Sequence, residues 1–228
     1  MLDVASGPVQ YAEYLTYSKN YRRRICMDIS IQGLREARRK VGENGVYILG
    51  DITSLPLRTD SMDAVVSLHT IYHVPQDEQA NAFEELYRVL KPQRGGVIVY
   101  TFNDPMLMWL GMLPFRWFNK ARHSGPARFV KRLLGRHPAP VAQNTSKEGK
   151  AATRFYFHAH PLKWFTSKTW SFPLEIVVWR SVNVRFLRTY VHPKRFGRFL
   201  LAMVYRFEEF FPRFTGRHGP YPMFVLKK

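Results

Sequence analysis

Three acidic residues decide what chemistry this sequence can do. Asp3, Asp28 and Asp51 stand in or just after short apolar runs, and in an open α/β sheet ligands bind beyond the carboxyl ends of such runs. Asp28 follows Gly7 by 21 residues, close to the separation between a glycine turn and an acid that takes up a ribose. A carboxylate there accepts hydrogen bonds from both vicinal ribose hydroxyls. Asp51, one strand further out, accepts from an adenine amino group, and the backbone of Ile52 faces the ring. Asp3 orients the turn and the amino end of the ligand. The acids together describe a site for an adenosine-containing molecule.

The elements that must position these acids follow from the apolar patterning. Leu2–Ala5 is a short apolar run closed by Ser6-Gly7-Pro8, a strand and a tight turn. Val9–Ser18 reads as a helix and Arg24–Asp28 as a second strand. Ser30 caps a helix that places Ile31, Leu34, Ala37 and Val41 on one face. Val46–Leu49 and Asp63–Leu68 are the third and fourth strands. Asp77–Leu90 is an amphipathic helix with Phe83, Leu86, Tyr87 and Leu90 inward, and Gly96–Phe102 is the fifth strand. Strand and helix alternate, and nearly every strand is an unbroken apolar run, as a parallel sheet covered on both faces requires. From Asn103 the rhythm breaks. An apolar stretch, Pro105–Phe115, leads into a basic one, Arg116–Arg136, and then a loop at 138–151. Structure resumes around His158, His160, Trp164 and Phe165. Glu175–Val184 is a strand, and Lys194–Phe211 a helix whose Phe196, Phe199, Leu200, Met203, Val204, Phe207, Phe210 and Phe211 form one face. That face reads as core. Tyr221–Leu226 is the last strand.

Charge divides the chain in two. Residues 1–104 hold 12 Lys/Arg and 13 Asp/Glu, whereas residues 105–228 hold 23 and 4. All 5 Trp and 15 of the 17 Phe also lie in the second part. A surface so basic and aromatic attracts an anionic partner: a membrane face, a phosphorylated substrate or a nucleic acid. Cys26 is the single cysteine, so no internal disulfide and no multi-cysteine metal site is expected, and no metal is predicted. The chain opens directly into Leu2-Asp3-Val4-Ala5 with no charged-then-apolar leader, and a cytoplasmic location is expected.

Four motifs, Leu2–Pro8, Cys26-Met-Asp-Ile-Ser, Gly50-Asp-Ile-Thr-Ser-Leu-Pro-Leu and Ser61-Met-Asp-Ala-Val-Val-Ser-Leu-His, resemble the motif series of class I S-adenosylmethionine-dependent methyltransferases of the small-molecule (type 11-like) kind. The resemblance covers roughly residues 1–104. It implies an α/β, Rossmann-like, doubly wound and mostly parallel seven-stranded sheet with a final antiparallel strand. Residues 1–228 would be one domain and 103–170 a helical insert or cap after the fifth strand. It implies S-adenosylmethionine as cofactor, with Asp3, Ala5, Ser6 and Gly7 along the methionine end, Asp28 at the ribose, Asp51 and Ile52 at the adenine, and Ser67 and Leu68 beside the sulfonium. The chain departs from the family by carrying Ala5 and Val9 where glycines are usual. It also starts inside the family's first strand, so an N-terminally short domain is expected.

A sulfonium methyl is already activated, so alignment supplies much of the rate, and a hydroxyl acceptor gains further from a histidine base. His69 and His73 follow the fourth strand, and His158 and His160 alternate further on; His73 and His160 are the expected bases. The expected acceptor is a small molecule, apolar, lipid-linked or phosphorylated, methylated on oxygen or carbon. Pro105–Phe115 is far short of the roughly 20 residues that span a bilayer. It could instead lie at an anionic membrane surface, with Trp109 and Trp117 at headgroup depth and Arg116, Lys120, Arg122, Lys131 and Arg132 on the lipid. Nucleic acid is the weaker partner, because Ser67-Leu68-His69-Thr70 lacks the Asn/Asp-Pro-Pro-aromatic turn of base amino-methylation. The alternatives are an RNA methyltransferase and a non-catalytic binding protein on the same scaffold. A nicotinamide dehydrogenase is disfavoured by the single glycine of the first turn.

Overall fold

The apolar runs of the first 104 residues do form a parallel sheet. The computed structural model describes residues 1–122, 156–191 and 196–228. Strands β1 (Leu2–Val4), β2 (Arg24–Asp28), β3 (Gly45–Leu49), β4 (Met62–Leu68), β5 (Leu90–Val99), β6 (Glu175–Arg180) and β7 (Tyr221–Lys227) lie in the order β3-β2-β1-β4-β5-β7-β6. Every neighbouring pair from β3 to β5 is parallel, and β7 runs antiparallel to both β5 and β6. The fold is thus Rossmann-like, with one antiparallel strand. Strand order reverses at β1, whose neighbours are β2 and β4, and a crevice opens at such a switch point beyond the carboxyl ends. Asp3, Asp28 and Asp51 stand at that edge.

Burial explains the unbroken runs. Leu2, Val4, Met27, Val65 and Ile98 are fully or almost fully buried and share one core with Phe83 and Leu86 of helix α2 (Gln79–Val89). Helix α1 (Ile31–Val41) covers the other face with Leu34 and Ala37, against Val9 and Cys26. Its start is fixed as the sequence indicates: Ser30 is the N-cap and its hydroxyl accepts from Gly33 N at 3.1 Å. Behind β5, the rings of Phe83, Tyr100, Phe165, Trp170 and Phe224 pack in tilted and edge-to-face pairs with centroids 4.6–6.3 Å apart. Tyr100 Oη donates to Gln79 Oε1 at 2.7 Å and accepts from His160 N at 3.0 Å. This buried link ties the segment before helix α4 (Leu162–Ser167) to the sheet.

Three expectations change. The stretch expected as a helix over Val9–Ser18 is a 3-10 turn, Ala12–Ser18, with no buried residue and no side-chain cap at Tyr11. Tyr14, Thr16, Tyr17 and Ser18 are poor helix formers, and without an apolar face to bury nothing offsets that. The strand expected to Val184 ends at Arg180 because Asn183 caps helix α5 (Val184–Tyr190), its side chain accepting from Phe186 N at 2.9 Å. The third change is the largest. Helix α6 (Gly197–Phe210) does not bury its apolar face: its buried residues are Gly197 and Glu208. Helix α3 (Met106–Arg122) occupies the apolar stretch. Lys131, Arg132 and the loop expected at 138–151 lie outside the described residues.

Helix α7 (Pro212–His218) lies directly on β6. A Cβ added at Gly216 would sit 2.2 Å from the Val177 carbonyl carbon, so the helix approaches the sheet as closely as backbone allows. Gly216→Ala should therefore destabilise the protein by about 3 kcal/mol, the upper end of overpacking costs. Urea unfolding of both proteins measures it.

Candidate functional site

The turn after β1 is built on left-handed backbone. Ala5, Gly7 and Val9 have φ of +53°, +52° and +47°. Glycine adopts this region freely, whereas an alanine or a β-branched valine does so at a cost of about 1–2 kcal/mol. What holds the turn is Asp28. Its Oδ2 accepts from Gly7 N at 2.8 Å and its Oδ1 from Ser30 N at 2.8 Å, so one carboxylate at the end of β2 ties the turn to the start of α1. Each oxygen keeps a lone pair for a further donor. Asp51, beyond β3, uses Oδ1 for Thr53 N and Thr53 Oγ1, both at 2.9 Å, and leaves Oδ2 available.

Two cavities share Ala5 as a lining residue. The first, of about 500 Å³, is lined by Asp28, Ser30, Asp51, Ile52 and His73. The second, of about 620 Å³, is lined by Asp3, Ser6, Gly7, Leu68, His69 and Arg180, with Tyr11, Tyr14, Tyr72, Trp179 and Tyr221 around them. The residues expected to hold the ribose and adenine thus line one cavity. Those expected at the methionine end line the other, except Ala5, which borders both. Ser67 lines neither; its side chain is fully buried on the opposite side of β4 from Leu68, as strand alternation demands.

The histidines sort differently from the expectation. His73 borders the first cavity, and its Nδ1 lies 2.8 Å from the Tyr156 carbonyl oxygen. A carbonyl only accepts, so Nδ1 carries the proton and Nε2 is the free position. His160 lines neither cavity. It is buried, stacked on Trp164 with centroids 3.9 Å apart and rings 4° from parallel, and its surroundings are those of a core side chain. His69 is the histidine that faces the second cavity, turned there by a positive φ of +58° just past β4. It meets the Tyr221 ring edge-on at 5.5 Å, and the Arg180 guanidinium lies over the same ring at 4.5 Å. Arg180 Nε has no hydrogen-bond partner. His69 follows the expected sulfonium neighbours directly, so its sequence position was a usable signal; for Arg180, arriving on the far edge strand, there was none.

Electrostatics separate the two cavities further. Burial, and secondarily the Arg180 charge, push the His69 pKa down to about 4, so its imidazole is neutral near pH 7. Burial and Tyr221 push the Tyr72 hydroxyl up to about 12, which keeps it a donor. At the base, Asp3 Oδ2 accepts from Arg24 Nε at 3.0 Å and also from Nη2, both residues buried. Burial raises the Asp3 carboxyl above its usual range although Arg24 pulls the other way. The second cavity is therefore an aromatic pocket with a neutral base, a cation reaching in from β6, and a compensated acid at its floor.

A family model described as a methyltransferase domain matches residues 2–99. Two curated relatives named as uncharacterized methyltransferases, from Mycobacterium bovis and Mycobacterium ulcerans, are 30% and 31% identical over 103 residues. These residues are 45% of this chain and 37% of each relative, so this chain spans well under half the length of those proteins. Among solved structures, the [4+2]-cyclase SpnF aligns over 100% of this chain and 74% of its own, at 17% identity and a TM-score of 0.52; that likeness is one of fold.

His69 makes stability depend on pH in a set direction. Its folded pKa of about 4 lies below the usual 6.5, so between those values the unfolded chain binds the proton that the folded one refuses. The contribution is fully present above pH 6.5 and is lost as pH falls through that window. Urea unfolding at pH 7.5, 6, 5 and 4 should show a smaller decline for His69→Gln than for the unsubstituted protein.

Proposed function

We propose that this chain, whose residues 2–99 match a methyltransferase domain and resemble methyltransferase relatives, is a class I S-adenosylmethionine-dependent methyltransferase that methylates a small acceptor bearing an anionic group. One observation carries the reading: a cavity lined by Asp28, Asp51 and Ile52 shares Ala5 as a wall with a second cavity lined by His69 and Arg180. S-adenosylmethionine is the cofactor; when bound it supplies a methyl group on a sulfonium, which leaves as a neutral thioether. The residues present fit it. Asp28 retains acceptor capacity for two ribose hydroxyls, Asp51 Oδ2 is available to an adenine amino group, and Asp3, Ser6 and Gly7 border the remaining end.

The acceptor half is built from other residues. Arg180, its Nε unpaired, binds a carboxylate or phosphate of the acceptor. Tyr11, Tyr14, Tyr72 and Tyr221 enclose its apolar body and exclude water. His69, neutral at physiological pH, would take the proton from an acceptor hydroxyl held in this cavity. Its low basicity limits its pull, and alignment by the pocket supplies the larger part. Oxygen is the favoured methylation site because a base and a donor, His69 and Tyr72, flank the same space; carbon methylation would use the same walls. An acceptor that is apolar, phosphorylated or both, of the quinone-precursor or lipid-linked sugar type, suits this pocket. A cytoplasmic encounter at a membrane face is consistent with the charge of residues 105–228, 23 Lys/Arg against 4 Asp/Glu.

Asp28→Ala should weaken S-adenosylmethionine binding at least tenfold, about 1.4 kcal/mol, because a charged acceptor of two hydroxyls is lost. Asp28→Asn, which keeps one oxygen for the turn, should lose less. Calorimetric titration with S-adenosylmethionine reads both. Unchanged affinity in Asp28→Ala, with the fold intact by circular dichroism, would place the ribose elsewhere.

A further inference from the structure

Helix α6 is amphipathic with its faces reversed. Phe196, Phe199, Met203, Phe207 and Phe210 recur at steps of three and four, so they form one stripe. All are exposed, Phe196 by 88%, Phe210 by 73% and Phe199 by 64%. The side toward the protein carries Gly197 and Glu208, both buried, with Leu201 and Val204 half-buried between them. Glu208 Oε1 accepts from Ser181 N at 2.6 Å, and this buried bond fixes which way the helix faces. Rotating the phenylalanines inward would strand the Ser181 N–H and expose the contacts of Leu201 and Val204, so the outward stripe is part of the fold.

The stripe continues past the helix. Phe211 and Phe214 are exposed at the α6–α7 junction, and α7 touches both α6 and α3. On α3, Trp109 and Trp117 are exposed, with Met106, Leu110 and Leu113 beside Trp109. Apolar residues gathered in this number on a surface mark an interaction site. Charge identifies the partner. Arg198, Arg206, Arg213 and Arg217 are exposed on α6 and α7 against one exposed acid, Glu209; Arg213 also meets Glu175 at 3.4 Å. A second copy would bring these arginines against their own kind. An RNA would satisfy them but leave aliphatic Met203, Leu110 and Leu113 in water. An anionic bilayer answers both, since aromatic rings sit at headgroup depth while arginines bind lipid phosphates. None of the described helices is long and apolar enough to cross a membrane.

We propose that α6, with α7 and α3, is a membrane-docking face that lays the Phe196–Phe210 stripe into the headgroup layer of an anionic bilayer. The proposal goes beyond methyl transfer and does not depend on it. Co-sedimentation with vesicles of phosphatidylcholine alone and of phosphatidylcholine with phosphatidylglycerol tests it without any cofactor. The chain should pellet with the anionic vesicles, be released by raised salt, and stay in solution with the neutral ones. Phe199→Ser combined with Phe210→Ser should cut the bound-to-free ratio at least tenfold; the unfolding midpoint should hold, because both rings are already exposed. Trp109→Ala with Trp117→Ala should reduce it by a smaller factor. Three results overturn the proposal: indifference to anionic vesicles, equal binding by the phenylalanine double variant, or a dimer in sedimentation equilibrium that this variant dissolves while vesicle binding is unchanged. A chain that ignores anionic vesicles yet shifts RNA at the same ionic strength would assign the face to nucleic acid.

Discussion

The ion pair between Asp3 and Arg24 underlies everything at the carboxyl edge of the sheet. Arg24 reaches from β2 to the β1 carboxylate with Nε and Nη2, and spends Nη1 on the Tyr14 carbonyl oxygen at 2.7 Å. One buried guanidinium thereby joins two strands and the 3-10 turn that walls the second cavity. Burying two charges costs several kcal/mol each, and only close geometry with every donor engaged returns most of it. The pair is therefore poor evidence of stability and good evidence of placement. Losing Arg24 would leave a buried carboxylate uncompensated beside the ligand's path. It also quiets the neighbourhood: burial first, and then Asp3, push the Cys26 thiol up to about 11, so the one cysteine is an apolar side chain rather than a nucleophile.

From that floor, the cofactor half follows by short covalent steps. Val4 leads into a turn whose left-handed Ala5 and Val9 would relax elsewhere, and Asp28 holds it there by accepting from Gly7 N. The same carboxylate accepts from Ser30 N, two residues on. Turn, acid and helix start are consequently one unit, preorganised before any ligand arrives. That is why alanine and valine can stand where the methyltransferases this chain resembles usually have glycines: the backbone shape is enforced by hydrogen bonds and by the buried Val9 side chain, not by conformational freedom.

Much of this was legible in the residues because it is local. Unbroken apolar runs announce a parallel sheet, Ser30 announces its helix, and the separation of Gly7 from Asp28 announces that the acid at the end of β2 meets the turn after β1. What stayed hidden depends on direction. The periodicity of Phe196 to Phe210 reveals an apolar face but is silent on which medium covers it; the buried Glu208–Ser181 bond, made across 27 residues, decides that. The placement of the histidines was hidden for the same reason. His69 and His73 differ by one short 3-10 turn, and backbone φ at His69 sends it into the second cavity while His73 borders the first. His160 alternates with His158 like a strand residue, yet its ring is claimed by Trp164.

The second cavity, unlike the first, takes part of its wall from outside the stretch that resembles known proteins, and this bears on what the scaffold can come to do. Residues 2–99, the stretch that matches the family model, supply β1 to β5 and with them every acid of the first cavity. Trp179, Arg180, Val184 and Tyr221 of the second cavity lie outside that stretch. A scaffold by itself does not dictate the bond that is made. The reaction depends on what the second cavity holds against the first. Here that is a neutral imidazole set edge-on to Tyr221 and a guanidinium over the same ring, its Nε unpartnered; burial, and secondarily the cation, keeps the base deprotonated.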